Sequence, residues 1–150
     1  MSDTYHAINL HFVFGTKSRA PLLSDQIRVE LFPYMGGIVR ANESTLVHSG
    51  GVADHVHLLI GLPPKVAPSE LMRDVKANSS RWMKERWDLP EFAWQDGFGV
   101  FSVSPSKLKA TKDYLDGQAA HHARVSFGSE LRAMYDAHGI EYDERWMPPV

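Results

Sequence analysis

Residues 55–62, HVHLLIGL, constrain this chain more than any other stretch. Two histidines flank a valine in an otherwise apolar run. In a strand, residues i and i+2 point to the same face. His55 and His57 therefore project together, while Val56, Leu58 and Ile60 form the opposite, apolar face. An imidazole buried without a polar partner costs free energy. The segment thus calls for a sheet with two unlike faces, one packed on a core and one that gives the histidines something to bind.

The remaining pattern supplies the elements. Residues 5–14, YHAINLHFVF, alternate, with Ile8, Leu10, Phe12 and Phe14 on one face and Asn9, His11 and Val13 on the other. That is a strand. Ser24 is placed to cap a helix in which Ile27, Leu31, Met35 and Ile38 recur at helical spacing, with Pro33 and Gly36–Gly37 predicting a kink or break. Residues 44–52 read as a strand paired with 55–62, with Gly50–Gly51 marking a bulge or turn. A helix is expected from Ser69, as cap, to Trp87, with Leu71, Met72, Val75, Ser79, Trp82 and Met83 inward. A strand near 98–103, a helix over 106–126, a short helix over 129–138 and an extended tail complete the chain.

The order β-α-β-β-α-β followed by helices predicts an α/β (α+β) fold, a ferredoxin-like or RRM-like sandwich. Its four-stranded antiparallel sheet carries helices on one face, and residues 1–150 make one domain. The first and third strands are central neighbours, which brings His11 toward the histidine pair. Composition closes other routes. The chain has no cysteine, so disulfides, thiolate metal sites and a cysteine nucleophile are excluded. No apolar run approaches the roughly 18 residues of a membrane span, and the start lacks a leader-like block. A cytoplasmic location with no membrane partner is expected. The net charge of −2 argues against coating nucleic acid by charge alone, although basic residues outnumber acidic ones over 65–124.

His55 and His57 on one rigid strand make a two-point metal clamp; two satisfied surface histidines would look the same. A second constellation, KATKDYLDGQAAHH, sets Tyr114 and Gln118 one turn apart on a helix face. Tyrosine serves as a covalent nucleophile when its electrophile is activated, because its phenol has a pKa of about 10. A metal on a phosphate oxygen supplies that activation, and a glutamine carbonyl oxygen can complete the ligand set. Alone, the pair reads equally as a packed tyrosine and a solvated glutamine.

Together these stretches resemble the single-tyrosine HUH transposases of small bacterial insertion sequences, the IS200-like family. DHVHLLIGLP is similar to their histidine–hydrophobic–histidine strand and YLDGQAAHH to their Tyr-x-x-x-Gln helix. FVFGTKSRAPLL, LMRDVKANSSRWMKE, FAWQDGFGVFSVSPS and FGSELRAMYDAHGIEYDERW extend the likeness over nearly the whole chain. The resemblance implies that His55, His57 and Gln118 bind a divalent metal, Mg²⁺ or Mn²⁺, and that Tyr114 attacks a scissile phosphate of single-stranded DNA. It implies a 5′-phosphotyrosyl intermediate, DNA hairpins at element ends as the substrate, and a homodimer whose chains share active sites. Gly117 departs from an asparagine frequent at that position, and the segment carrying it is a mobile one in the family.

DNA contacts are expected from Lys17 and Arg19 after the first strand, which resemble the family's Thr-Lys-x-Arg signature. They are also expected from Arg73, Lys76 and Lys84 along the long helix, and from Lys107, Lys109 and Lys112 leading into the tyrosine helix. The long-helix set also fits a solvated face. Trp94, in a glycine-containing loop, is the candidate for stacking on unpaired bases. His11 is a candidate to support the metal ligands from behind. Three rivals stand beside the transposase reading. One is a domesticated relative associated with repeated extragenic palindromes, with the same chemistry. Another is a non-catalytic single-stranded nucleic-acid-binding module. The third is a metal-dependent hydrolase using only the histidine pair.

Overall fold

The computed structural model describes residues 4–150. Strands β1 (Ile8–Gly15), β2 (Thr45–Val52), β3 (His55–Leu62) and β4 (Gly99–Ser102) form one antiparallel sheet in the order β2-β3-β1-β4. Helices α1 (Asp25–Ala41) and α2 (Pro68–Arg86) cover one face. Helices α3 (Leu108–Asp116), α4 (Gln118–His122) and α5 (Phe127–Ala137) follow β4. This is the four-stranded α/β sandwich that the order of elements predicts, with the C-terminal helices laid over the face opposite α1 and α2.

The β1–β3 register explains both faces. Phe14 pairs with Val56, Phe12 with Leu58 and Leu10 with Ile60, and these side chains meet Leu31 and Met35 of α1 and Met72 and Val75 of α2 in the main core. One residue out of phase, Val13 pairs with His57 and His11 with Leu59. On that side Val13 and Phe101 pack with Phe127 and Leu131 of α5 in a second, smaller cluster. Among the described residues no helix is long and apolar enough to cross a membrane.

Several boundaries differ from the sequence expectation. Helix α1 is capped by Ser24, whose side chain accepts the Ile27 N–H, but it runs through Pro33 without a break. The carbonyl that Pro33 leaves unpaired belongs to Val29, a solvent-exposed residue, so water can satisfy it. Helix α2 starts at Pro68 rather than after Ser69, with no side-chain cap. Proline is suited to the first helical position, because its φ is already helical and its missing N–H needs no partner there. The irregularity in β2 falls between Leu46 and His48, not at Gly50–Gly51. Gly50 instead admits α3, since a Cβ there would lie 2.1 Å from the Leu115 carbonyl oxygen. The helix expected over 106–126 is two helices, divided at Gly117. Glycine's cost in a helix interior favours the division at that point.

Candidate active site

Strand β3 sets His55 and His57 side by side on the face away from the main core, both fully buried. Each imidazole is held from behind through Nδ1. His55 Nδ1 lies 2.8 Å from an Asp54 carboxylate oxygen, and His57 Nδ1 lies 2.8 Å from Nε2 of His11 on the neighbouring strand. Phe127 stacks on the His55 ring with centroids 4.0 Å apart. These contacts orient the rings and aim both Nε2 atoms at one point. Burial lowers the His11 pKa to about 3, with His57 adding to the effect. His11 is therefore neutral and can serve His57 as donor or acceptor.

The point of convergence is Glu130 on α5, which is 3% exposed. Its Oε1 lies 3.2 Å from His57 Nε2, 3.4 Å from His55 Nε2 and 3.1 Å from His122 Nε2. Its Oε2 accepts hydrogen bonds from the Tyr114 hydroxyl and, at 3.3 Å, from Gln118 Nε2, and lies 3.2 Å from His121 Nε2. Burial alone would raise the Glu130 carboxyl. Hydrogen bonds from His55, His57 and Tyr114 outweigh it and hold the group well below the usual carboxylate range. Tyr114 moves the other way, pushed above an ordinary phenol by burial and by the Glu130 carboxylate. For His55, burial lowers the pKa, but hydrogen bonds to Asp54 and Glu130 dominate and raise it overall; for His57 burial wins and lowers it.

His122 makes the electrostatic need explicit. Its Nδ1 donates to the Val125 carbonyl at 2.7 Å, which leaves the Nε2 lone pair facing a carboxylate oxygen. That buried Nε2 has no hydrogen-bond partner. A lone pair and a carboxylate at contact distance repel unless a proton or a metal cation lies between them. One ligand atom each from His55, His57, His122 and Glu130 can be drawn within 4.8 Å of one another. The donor set fits a divalent metal ion.

The structure thus brings His55, His57, Tyr114 and Gln118 into one site, with His11 behind it. The Gln118 carbonyl oxygen is 3.3 Å from His55 Nε2. Tyr114 lies against its own chain's His57, ring centroids 5.7 Å apart; the shared-site arrangement expects a tyrosine from a partner. Sequence reasoning missed Glu130 and left His121 and His122 without a role. A signal existed, because Glu130 falls on the apolar stripe of Phe127, Leu131 and Met134, where an unpaired carboxylate would be costly.

The expected DNA contacts scatter. Lys17 is exposed on a short 3-10 turn, Lys17–Arg19, at the end of β1. Arg19 is turned toward Asp54, with Nε 3.7 Å from its carboxylate. Lys76 is half-buried rather than presented to solvent. Its ammonium donates to the carbonyls of Gln95 and Gly97 and sits over the Phe14 and Phe98 rings. Arg73 and Lys84 line an open groove beside residues 94–97. Lys107 and Lys109 are exposed, Lys109 paired with Asp113, and Lys112 is half-buried. Trp94 corrects the stacking expectation. It is 7% exposed, wedged edge-on against Phe14 and Phe92, and donates from Nε1 to Ser79 Oγ at 2.9 Å. Its alternation with Phe92 across Ala93 carries it into the core.

Comparison with known proteins agrees with this architecture. The family model described as "Transposase IS200 like" matches residues 4–118. The transposase for insertion sequence element IS200 of Salmonella typhimurium is 25% identical over 114 residues, covering 72% of this chain and 74% of that protein, and its Salmonella typhi counterpart gives the same figures. Among solved structures, a candidate transposase from Deinococcus radiodurans R1 aligns with a TM-score of 0.65 and 23% identity, over 79% of this chain and 95% of its own. A REP-associated tyrosine transposase bound to a REP hairpin aligns over 100% of this chain and 93% of its own, with a TM-score of 0.60 and 18% identity.

Proposed function

The chain belongs to the IS200-like transposase family, and from that premise we propose that it nicks and joins single-stranded DNA through a covalent intermediate on Tyr114, residues 1–150 acting as one catalytic domain. The observation that carries this reading is the meeting of the Tyr114 hydroxyl and the His55 and His57 Nε2 atoms on the two oxygens of one carboxylate. A nucleophile and a metal clamp are then within one residue's width of each other.

In the proposed reaction Tyr114 Oη forms a bond to the scissile phosphorus and the P–O3′ bond breaks. The products are a 5′-phosphotyrosyl link and a free 3′-OH. Glu130 Oε2, which accepts the hydroxyl in the resting site, aligns that oxygen and is placed to pass its proton on, so that the departing 3′-oxygen leaves protonated. A second 3′-OH attacking the phosphotyrosine reverses the step and joins new ends without another energy source. His55 and His57, with the Gln118 carbonyl oxygen, would hold a divalent cation, Mg²⁺ or Mn²⁺ by family resemblance. When bound, the ion supplies charge stabilisation at the phosphoryl oxygen. The phenol is held protonated by burial and by Glu130, so the resting arrangement stores the nucleophile in an unreactive form. Entry of a phosphate would call for α3 and α4 to move from the sheet, and Gly117, between them, is the joint at which this motion would occur.

The substrate class is a DNA strand with hairpins. The alignment of the hairpin-bound REP-associated structure along the whole chain supports the REP-associated reading. The test is a denaturing gel of protein incubated with single-stranded DNA from its own locus and Mn²⁺ or Mg²⁺. A covalent protein–DNA band is expected, absent in Tyr114→Phe. A band that persists in Tyr114→Phe removes the nucleophile assignment, and DNA cleavage without any band favours the hydrolase. Mixing Tyr114→Phe with His57→Ala reads the arrangement: no recovery is expected, whereas recovery would mean that two chains share each site.

A further inference from the structure

Glu130 divides its oxygens. Oε1 faces three imidazole nitrogens from β3 and α4, at 3.1, 3.2 and 3.4 Å. Oε2 faces the nucleophile and the Gln118 amide. A tetrahedral ion with ligand bonds of about 2.0–2.1 Å has ligand atoms about 3.3–3.4 Å apart along each edge. The three separations from Oε1 come within about 0.3 Å of that length, so Oε1 stands close to where a fourth ligand would. His122 makes the shortest of these three approaches. Its Nδ1 is committed to the Val125 carbonyl, and its buried Nε2 is unpartnered and turned toward Oε1. His122 and Glu130 both lie beyond residues 4–118, so the family match assigns neither a role.

Building on the metal-dependent reading above, we propose that Glu130 and His122 are ligands of the metal alongside His55 and His57, and that this three-imidazole, one-carboxylate set selects a first-row transition ion over Mg²⁺. Imidazole nitrogen suits the later first-row ions, Co²⁺ and Zn²⁺ among them, better than it suits Mn²⁺. Mg²⁺ demands oxygen ligands and octahedral geometry and gives up its water reluctantly. One carboxylate among three neutral imidazoles also leaves the loaded site at net +1, which favours a phosphodiester. Gln118 keeps its carbonyl oxygen beside His55, and a phosphoryl oxygen would enter by expansion of the coordination to five. Because Glu130 also accepts the Tyr114 hydroxyl, one side chain ties the nucleophile to the metal position.

The test is metal binding alone, without DNA, measured by calorimetry and by the visible absorption of Co²⁺. Wild type is expected to bind Zn²⁺ and Co²⁺ at least about 100-fold more tightly than Mg²⁺, and to give the intense visible bands of low-coordinate Co²⁺. Glu130→Gln keeps the side chain's shape and is expected to weaken Co²⁺ binding about 10–100-fold or more and to shift the bands. His122→Ala, on a different helix, is expected to do the same and reads the cage separately should Glu130→Gln fail to fold. Wild-type affinity and spectrum in both variants would overturn the assignment, as would equal affinity for Mg²⁺ and Co²⁺. His57→Ala separates the two levels. Binding lost there but intact in the other two variants overturns only the extended ligand set. Binding intact in His57→Ala removes the metal site altogether.

Discussion

On one face of the sheet Phe12, Phe14, Val56, Leu58 and Ile60 meet α1 and α2 in a continuous apolar core. On the other face the apolar contact is confined to Val13 and Phe101 with Phe127 and Leu131, and the centre is polar: His11, His55, His57, Gln118 and Glu130 are all nearly inaccessible to solvent. The first face gains free energy from area removed from water, about 25 cal/mol per Å². The second gains little that way. Its buried polar groups are tolerable only because each is partnered, or would be by a metal. Stability therefore resides on one side of the sheet and chemistry on the other, and adjacent residues of β3 belong to different sides.

His57 and Leu58 test that division with the largest effects. His57→Ala is expected to lower covalent adduct formation by more than about 100-fold while the protein still unfolds cooperatively. Circular dichroism and the denaturing gel measure the two outcomes. Leu58→Ala is expected to cost about 2–5 kcal/mol of unfolding free energy, because a fully buried leucine leaves a cavity. Adduct yield per folded molecule should stay near wild type. If Leu58→Ala cut adduct yield as deeply as His57→Ala at matched folded fraction, the faces would not be separable.

Gly50 sharpens the comparison at the seam. It is the point where β2 touches α3, and a Cβ would meet the Leu115 carbonyl at 2.1 Å. Gly50→Ala should push α3 outward at a cost of about 1–3 kcal/mol. The loss should be local: amide exchange in residues 108–116 accelerates while α1 and α2 keep their protection. Uniform acceleration across all helices would show the two faces to be one cooperative unit.

The parts that sequence could show were those with a period. Strand alternation placed His11, His55 and His57 on one face and the apolar residues on the other, because a two-residue repeat leaves no other choice. The order of elements then predicted β1 and β3 as neighbours, and so the His11–His57 contact. Local chemistry decided some boundaries and misled on others. Ser24 caps α1, but Ser69 caps nothing because Pro68 already begins α2. Glu130 was legible only as a carboxylate on an apolar stripe, not as a partner of the histidines. It lies in no motif with the histidines and meets them only after α5 docks through Phe127 and Leu131. Nor does the spacing of Tyr114 and Gln118 reveal that Gly117 puts them on separate helices.

Trp94 provides the smallest effect and a direct check on which face it serves. As a base-stacking residue it would be exposed near the site. It is instead part of the main core, edge-on to Phe14 and Phe92, with its indole N–H given to Ser79 of α2. Trp94→Phe keeps most of the packing and removes the donor, leaving the buried Ser79 hydroxyl without that partner. The expected cost is about 1 kcal/mol in chemical denaturation. Affinity for single-stranded DNA, measured by fluorescence anisotropy at fixed salt, should not change. Base stacking on an aromatic is worth about 1–3 kcal/mol per base, so a stacking role would appear as a loss of affinity of roughly fivefold or more. An affinity loss of that size with unchanged stability would return Trp94 to the DNA-binding surface and break its assignment to the core face.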